Sequence, residues 1–384
     1  MASSAFPPSR APVPQSSGRP PKDLSIQGLR GVAVLLLVAG HVYGLGPAEG
    51  LRQPEDTFGH YLTDSVEPLR MPLFTIISGY VYALRPVRST SGLPGLVRGK
   101  ARRLLLPLLL LTAVVGGLQI LSGRGGGSLT VGDVAAGYLY GFSHLWFLYA
   151  IFWVFLVAGL LDATGRLARV RPWALAWGAG ALAYVVVLLP HRYDFFSING
   201  ALRLFPFFLL GYALRQHADL FTGRRVVAAA VAVFVLSGAV EQYVILTDAD
   251  LPGAVRRALG LVVGTAGLVV LFRVRQVFRS RLLAWVGTYA FTVYLLHTTA
   301  NAGVKTVLRA VGVDSVPVLF VTGFAAAILL PVLFHVTAGR YDLVRTFVLG
   351  EKPLPAAPEA PDAPGPSTTG TGDAAERQGP GSAR

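Results

Sequence analysis

Within one apolar stretch, residues 24–46, the sequence sets an arginine, Arg30, and a histidine, His41, eleven positions apart. Histidine exchanges a proton near neutrality, which suits general acid or base work, and arginine is a permanent cation with directional donors for an anion. At about 100° per residue, eleven steps turn a helix about three times plus roughly 20° and rise about 16 Å, so both side chains project from nearly one face at different depths. A charge near the centre of a bilayer costs roughly 2.5–3.5 kcal/mol on insertion scales, and such residues face a bundle interior or a water-filled cavity. The pair therefore marks a candidate site. Structural uses stand beside that reading: Arg30, near the start of the stretch, can snorkel to the headgroups, and a lone histidine can join two helices through a hydrogen bond.

Other polar residues recur at the ends of further apolar runs. Lys100, Arg102 and Arg103 precede the run at 104–121, and a basic loop there also serves to hold topology. His144 and Trp146 lie in SHLWFL, at a span end where aromatic residues commonly anchor, and His297 closes TVYLLH, where it either lines a site or bonds to a neighbouring helix. Ser78 suits close helix packing, and Glu241, inside another run, needs a partner. With no cysteine in the chain there is no disulfide framework, thiolate nucleophile or cysteine-bound metal. The available chemistry narrows to histidine, serine, carboxylates and arginine, and no metal site is expected.

The elements that must position these residues are helices in a membrane. Of the 384 residues 53% are hydrophobic and only 14% charged, which excludes a soluble globular protein. Apolar runs at 24–46, 69–84, 104–121, 145–161, 173–189, 202–214, 226–246, 255–272, 282–300 and 316–336 predict an all-α, polytopic transmembrane bundle of about ten spans. Internal Arg30 and His41, and the spans that follow, exclude the first run as a signal peptide. The net charge of +14 is spread over loops between the runs rather than over a basic, aromatic-interleaved surface, so no nucleic-acid partner is expected. Arginine-rich loops alternate, and the positive-inside rule then places both termini in the cytoplasm and the acidic loop at 47–68 outside. Residues 1–22 and 346–384, rich in Pro, Ala, Gly and Ser, read as disordered tails around a membrane domain at 23–345. The expected location is the inner (plasma) membrane.

Read together, the R-x10-H of the first run, MPLF-x3-SGY at 71–80, SHLWFL at 143–148, RLFPFFLLGY at 203–212 and TVYLLH at 292–297 resemble the acyltransferase-3 family of membrane-bound O-acyltransferases. MPLF-x3-SGY and HLWFL are similar to its fucose O-acetylase-like branch. The resemblance covers residues 24–340, nearly everything outside the tails. It implies an enzyme that moves an acyl group, usually acetyl, from cytoplasmic acyl-CoA to a hydroxyl of a glycan, glycolipid or secondary metabolite. The family's first-span pair maps onto Arg30 and His41, and its basic motif onto Lys100, Arg102, Arg103 and Pro107, with lysine here where arginine is common. In this picture His41 takes the hydroxyl proton, Arg30 either stabilises the thioester oxygen or binds a CoA phosphate, and Lys100, Arg102 and Arg103 hold CoA phosphates. Ser78, His144, Trp146 and His297 become candidate substrate-facing residues. A transporter or flippase for a lipid-linked sugar or small molecule would also need many spans and a polar cavity. The basic cluster and the first-span histidine favour the enzyme.

Overall fold

The computed structural model describes residues 23–44, 50–121 and 129–354, and among them the regular structure is helical throughout. The helices are α1 (Leu24–Tyr43), α2 (Phe58–Ser65), α3 (Glu67–Tyr82), α4 (Leu93–Lys100), α5 (Leu106–Leu121), α6 (Val131–Tyr140) and α7 (Trp146–Ala163). They continue with α8 (Val170–Val186), α9 (Ile198–Gln216), α10 (Arg224–Thr247), α11 (Gly253–Arg273), α12 (Arg281–Thr288), α13 (Ala290–Ala310) and α14 (Val316–Ala338). A π-helical turn, Ala101–Leu105, joins α4 to α5 and carries Arg102 and Arg103. Such a widened turn re-aims the side chains it bears and is frequent at functional sites.

Each run expected to span holds helix among the described residues, and seven described stretches are long and apolar enough to cross a membrane. The three that fall short do so for different reasons: α3 and α8 have 16 and 17 residues, and α13 carries a polar seam of His297, Asn301 and Lys305. The run at 282–300 is two helices, because the backbone leaves helical geometry at Tyr289, and α13 extends to Ala310. At the far end the described chain continues past the expected domain boundary at 345. Leu349 is fully buried there, and Glu351 pairs with Arg103 and Arg345. The expected tail at 1–22, and the rest of the tail at 346–384 from residue 355 on, lie outside the described residues.

In lipid, apolar side chains gain little by leaving one apolar neighbour for another, so helices are held by close approach and by satisfied polar groups. Both devices are present. Gly79 of α3 lies against the carbonyl of Phe208, and Gly211 of α9 lies against that of Ile76, a reciprocal contact in which a Cβ on either side would overlap backbone. Beside it the buried Asp162 of α7 accepts hydroxyl hydrogens from Tyr82 and Tyr212 at 2.9 and 2.8 Å, tying α3, α7 and α9 through one satisfied carboxylate. The first helix starts on Asp23, whose carboxylate accepts from the Ser25 amide at 2.9 Å, and packs against α3, α12, α13 and α14. Arg30 and His41 are therefore carried by an element enclosed on several sides.

Candidate active site

Three histidine rings from three parts of the chain meet between α1, α7 and α13. His41 comes from the last turn of α1, His297 from the first half of α13, and His144 from the short 3-10 turn Ser143–Leu145 that leads into α7. Ser143 there has φ 49°, in the left-handed region, which lets the chain turn sharply and point His144 inward. The ring centroids are 4.9 Å apart for His41 and His297, 5.0 Å for His144 and His297, and 6.4 Å for His41 and His144.

Their hydrogen bonds fix the tautomers. His41 Nδ1 lies 3.0 Å from the Leu37 carbonyl, and His297 Nδ1 lies 2.8 Å from that of Tyr294 and 3.1 Å from that of Val293. A carbonyl only accepts, so in the neutral ring each Nδ1 carries the hydrogen and each Nε2 keeps a lone pair. His144 is turned the other way: its Nε2 donates to the Leu295 carbonyl at 3.3 Å, leaving Nδ1 to accept from the Thr298 hydroxyl at 3.3 Å. Among the described residues the Nε2 of His297 is wholly buried without a hydrogen-bond partner, whereas His41 remains partly accessible. Each of these two rings thus keeps an acceptor nitrogen, and their centroids are 4.9 Å apart.

Donors on α13 hold the end of α1 in place. Asn301 Nδ2 donates to the His41 carbonyl at 3.4 Å, and Lys305 Nζ donates to the Val42 carbonyl at 3.2 Å, supplying donor and positive charge where a helix C-terminus needs both. Tyr294 donates its hydroxyl to the His144 carbonyl at 2.6 Å and fixes the third ring from below.

A cavity of about 670 Å³ opens beside this cluster, with Arg30, Ser78, Lys100, Arg103, Phe74 and Tyr294 in its wall. Tyr294 belongs both to this wall and to the histidine cluster, with its ring 5.7 Å from that of His144. Lys100 Nζ sits 3.4 Å above the Phe155 ring, and the Arg103 guanidinium 4.1 Å from the centre of Phe291. Arg103 also donates to the Leu349 carbonyl at 2.9 Å and pairs with Glu351 at 3.2 Å. Among the described residues neither Arg30 nor Lys100 has a carboxylate within ion-pair distance. The cavity wall carries cations that can hold an anion, and the histidine cluster, which meets that wall at Tyr294, carries unprotonated imidazole nitrogens that can accept a proton.

Of the residues singled out in the sequence, the structure brings together His41, His144 and His297 in one group, and Arg30, Ser78, Lys100 and Arg103 in the other. Ser78 faces the cavity with its hydroxyl donated to the Phe74 carbonyl at 2.9 Å. Arg102 and Trp146 join neither group: Arg102 lies outside the cavity wall, and Trp146 packs against Gly200 and Phe147. Glu241, expected to need a partner, is buried with Arg256 as its facing cation.

Sequence reasoning passed over Tyr294, Thr298, Asn301, Lys305 and Arg70. The first four lie within or just beyond TVYLLH at spacings that put them on one helical face, and a search for polar periodicity in α13 would have found that seam. Arg70 stood between Leu69 and Met71 in an apolar run, which is the signal by which Arg30 was noticed.

Comparison with known families matches residues 23–336 of the chain to the family described as "Acyltransferase domain". Among curated proteins, the nodulation protein NolL of Sinorhizobium fredii (strain NBRC 101917 / NGR234) is 28% identical over 207 residues, 52% of this chain and 51% of NolL. The match thus spans about half the length of that relative. No solved structure matches the chain.

Proposed function

The chain belongs to this acyltransferase family, and we propose that it is an integral membrane O-acyltransferase that moves an acyl group, acetyl foremost, from cytoplasmic acyl-CoA to an acceptor hydroxyl. The acceptor is a cell-envelope glycan or glycolipid, or a secondary metabolite. The observation that carries the reading is the residue two groups share: the cavity lined by Arg30, Lys100 and Arg103 is bounded by Tyr294, which also donates to the histidine cluster. Coenzyme A is polyanionic at one end and bears its reactive thioester at the other, so it asks for cations at a mouth and a proton acceptor further in.

In the proposed reaction the acceptor hydroxyl gives its proton to His41 Nε2, its oxygen bonds to the acyl carbon, and the carbon–sulfur bond breaks. The proton on His41 then passes to the departing thiolate, so that ester and free CoA leave and the histidine returns to its starting tautomer. The Leu37 carbonyl favours that tautomer, and it also stabilises the imidazolium formed midway. Base catalysis of this kind typically contributes about 10²–10⁴-fold. Alternating arginine-rich connections support placing the CoA mouth and both termini in the cytoplasm of a plasma-membrane protein. The test is transfer from labelled acetyl-CoA to lipid, glycan or small-molecule fractions by membranes holding the protein, with release of free CoA. Absence of both transfer and CoA release, against a folded and inserted protein, would return the transporter or flippase reading.

A further inference from the structure

The histidine end of α1 has an arginine of its own. Arg30 and His41 are about 16 Å apart along the helix axis, so an arginine at the cationic end of the cavity cannot also reach an oxygen held at His41. Arg70 of α3 is only 6% exposed, yet its Nε and Nη1 are wholly buried with no hydrogen-bond partner among the described residues. A Cβ on Gly40 would overlap Arg70 Nη1, so the guanidinium lies against the backbone of α1 one residue before His41. The carboxylates that face Arg70 are Glu67 and Asp64, but Glu67 is spent in an ion pair with Arg203 and neither is within ion-pair distance of Arg70. Burying guanidinium donors without partners is costly unless an oxygen arrives to receive them.

We infer that Arg70 is a further catalytic residue, whose guanidinium donates to the acyl carbonyl oxygen as it becomes an oxyanion beside His41; this rests on the acyl-transfer reading above. When the acceptor oxygen bonds to the acyl carbon, the carbonyl π pair moves onto the acyl oxygen and is held by the Arg70 N–H groups. Collapse of that oxyanion re-forms the carbonyl and expels the CoA thiolate, which takes the proton from His41. A donor fixed in a water-poor site stabilises the oxyanion more than the starting carbonyl, and Gly40 is the residue type that leaves room for it. Arg30 is then left to the anionic end of the donor substrate.

The experiment is steady-state release of CoA from acetyl-CoA by the full-length protein in liposomes, with glycerol and water as acceptors. Arg70→Lys and Arg70→Gln are expected to lower kcat by about 10²–10³-fold while leaving the KM for acetyl-CoA within about twofold, with part of the loss in Arg70→Ala restored by added guanidinium ion. Gly40→Ala keeps Arg70 but pushes its flexible end aside, and is expected to lower kcat by at least about tenfold, again at unchanged KM for acetyl-CoA. Because the added methyl meets only the tip of a movable side chain, this variant tests the proposal even if every Arg70 variant fails to fold. A kcat within about threefold of native in Gly40→Ala or Arg70→Lys, or a loss expressed mainly in KM, would overturn the assignment. Native protein that releases no CoA would remove the acyl-transfer reading and this inference with it, whereas active native protein with fully active variants would remove this inference alone.

Discussion

His41 and His297 stand edge to face, 4.9 Å between ring centroids and 81° between planes, each with Nδ1 turned onto a backbone carbonyl of its own helix. In the neutral rings neither can lend the other a proton without losing that bond, so both start the reaction as acceptors. His297→Phe fills the same space without an acceptor nitrogen. It is expected to leave the protein folded and the rate within about tenfold of native, because His41 keeps its own carbonyl and its own lone pair. Loss as deep as that of a His41 variant, measured as labelled acetyl transfer, would move the base to His297.

At the cavity the predicted effects separate three basic residues that look alike in the sequence. Arg30→Gln and Lys100→Gln each remove a cation from the cavity wall, and a charge-assisted bond is worth about 1.5–3 kcal/mol, so each should raise the KM for acetyl-CoA by about tenfold or more. Arg102→Gln should leave that KM within about twofold, since its side chain lies outside the wall. The measurement is the KM for acetyl-CoA at saturating acceptor. An Arg102 effect equal to that of Lys100 would contradict the cavity geometry.

Packing between α3 and α9 gives a prediction about stability alone. Gly79→Val inserts a branched side chain where Gly79 meets the Phe208 carbonyl, and backbone cannot yield as a side-chain tip can. Overpacking of this kind costs about 1–3 kcal/mol, and should lower the thermal midpoint in detergent followed by tryptophan fluorescence. An unchanged midpoint would mean that the two helices are less tightly apposed than the reciprocal Gly79 and Gly211 contact implies.

Much of this arrangement was legible in residue types. An arginine and a histidine eleven positions apart had to share a helical face, and α1 carries them so. Hydropathy found helix at each of the expected runs, because long apolar stretches have few other stable states in lipid, although seven described stretches are long and apolar enough to cross a membrane. It could not show the division of 282–300 at Tyr289, where a single backbone turn separates α12 from α13 without a proline or charge to mark it. Nor could spacing separate Arg102 from Arg103. The π-helical turn that carries both is a property of backbone hydrogen bonding, and it turns Arg103 toward Phe291 and the cavity while leaving Arg102 outside. Arg70 was hidden for another reason: its meaning depends on Gly40, thirty positions away in the chain and in contact only after α1 and α3 have packed.

One pair of measurements on His41→Ala decides whether His41 is the base. The variant should bind acetyl-CoA with native affinity in an equilibrium assay, since the cations of the cavity are untouched. It should transfer labelled acetyl about 10²–10⁴-fold more slowly, and the fall of native rate at acid pH, where His41 Nε2 is protonated and cannot accept, should be absent from what remains. Native-like transfer by His41→Ala, with the acid limb of the rate profile intact, would contradict the assignment and return α1 to a structural helix.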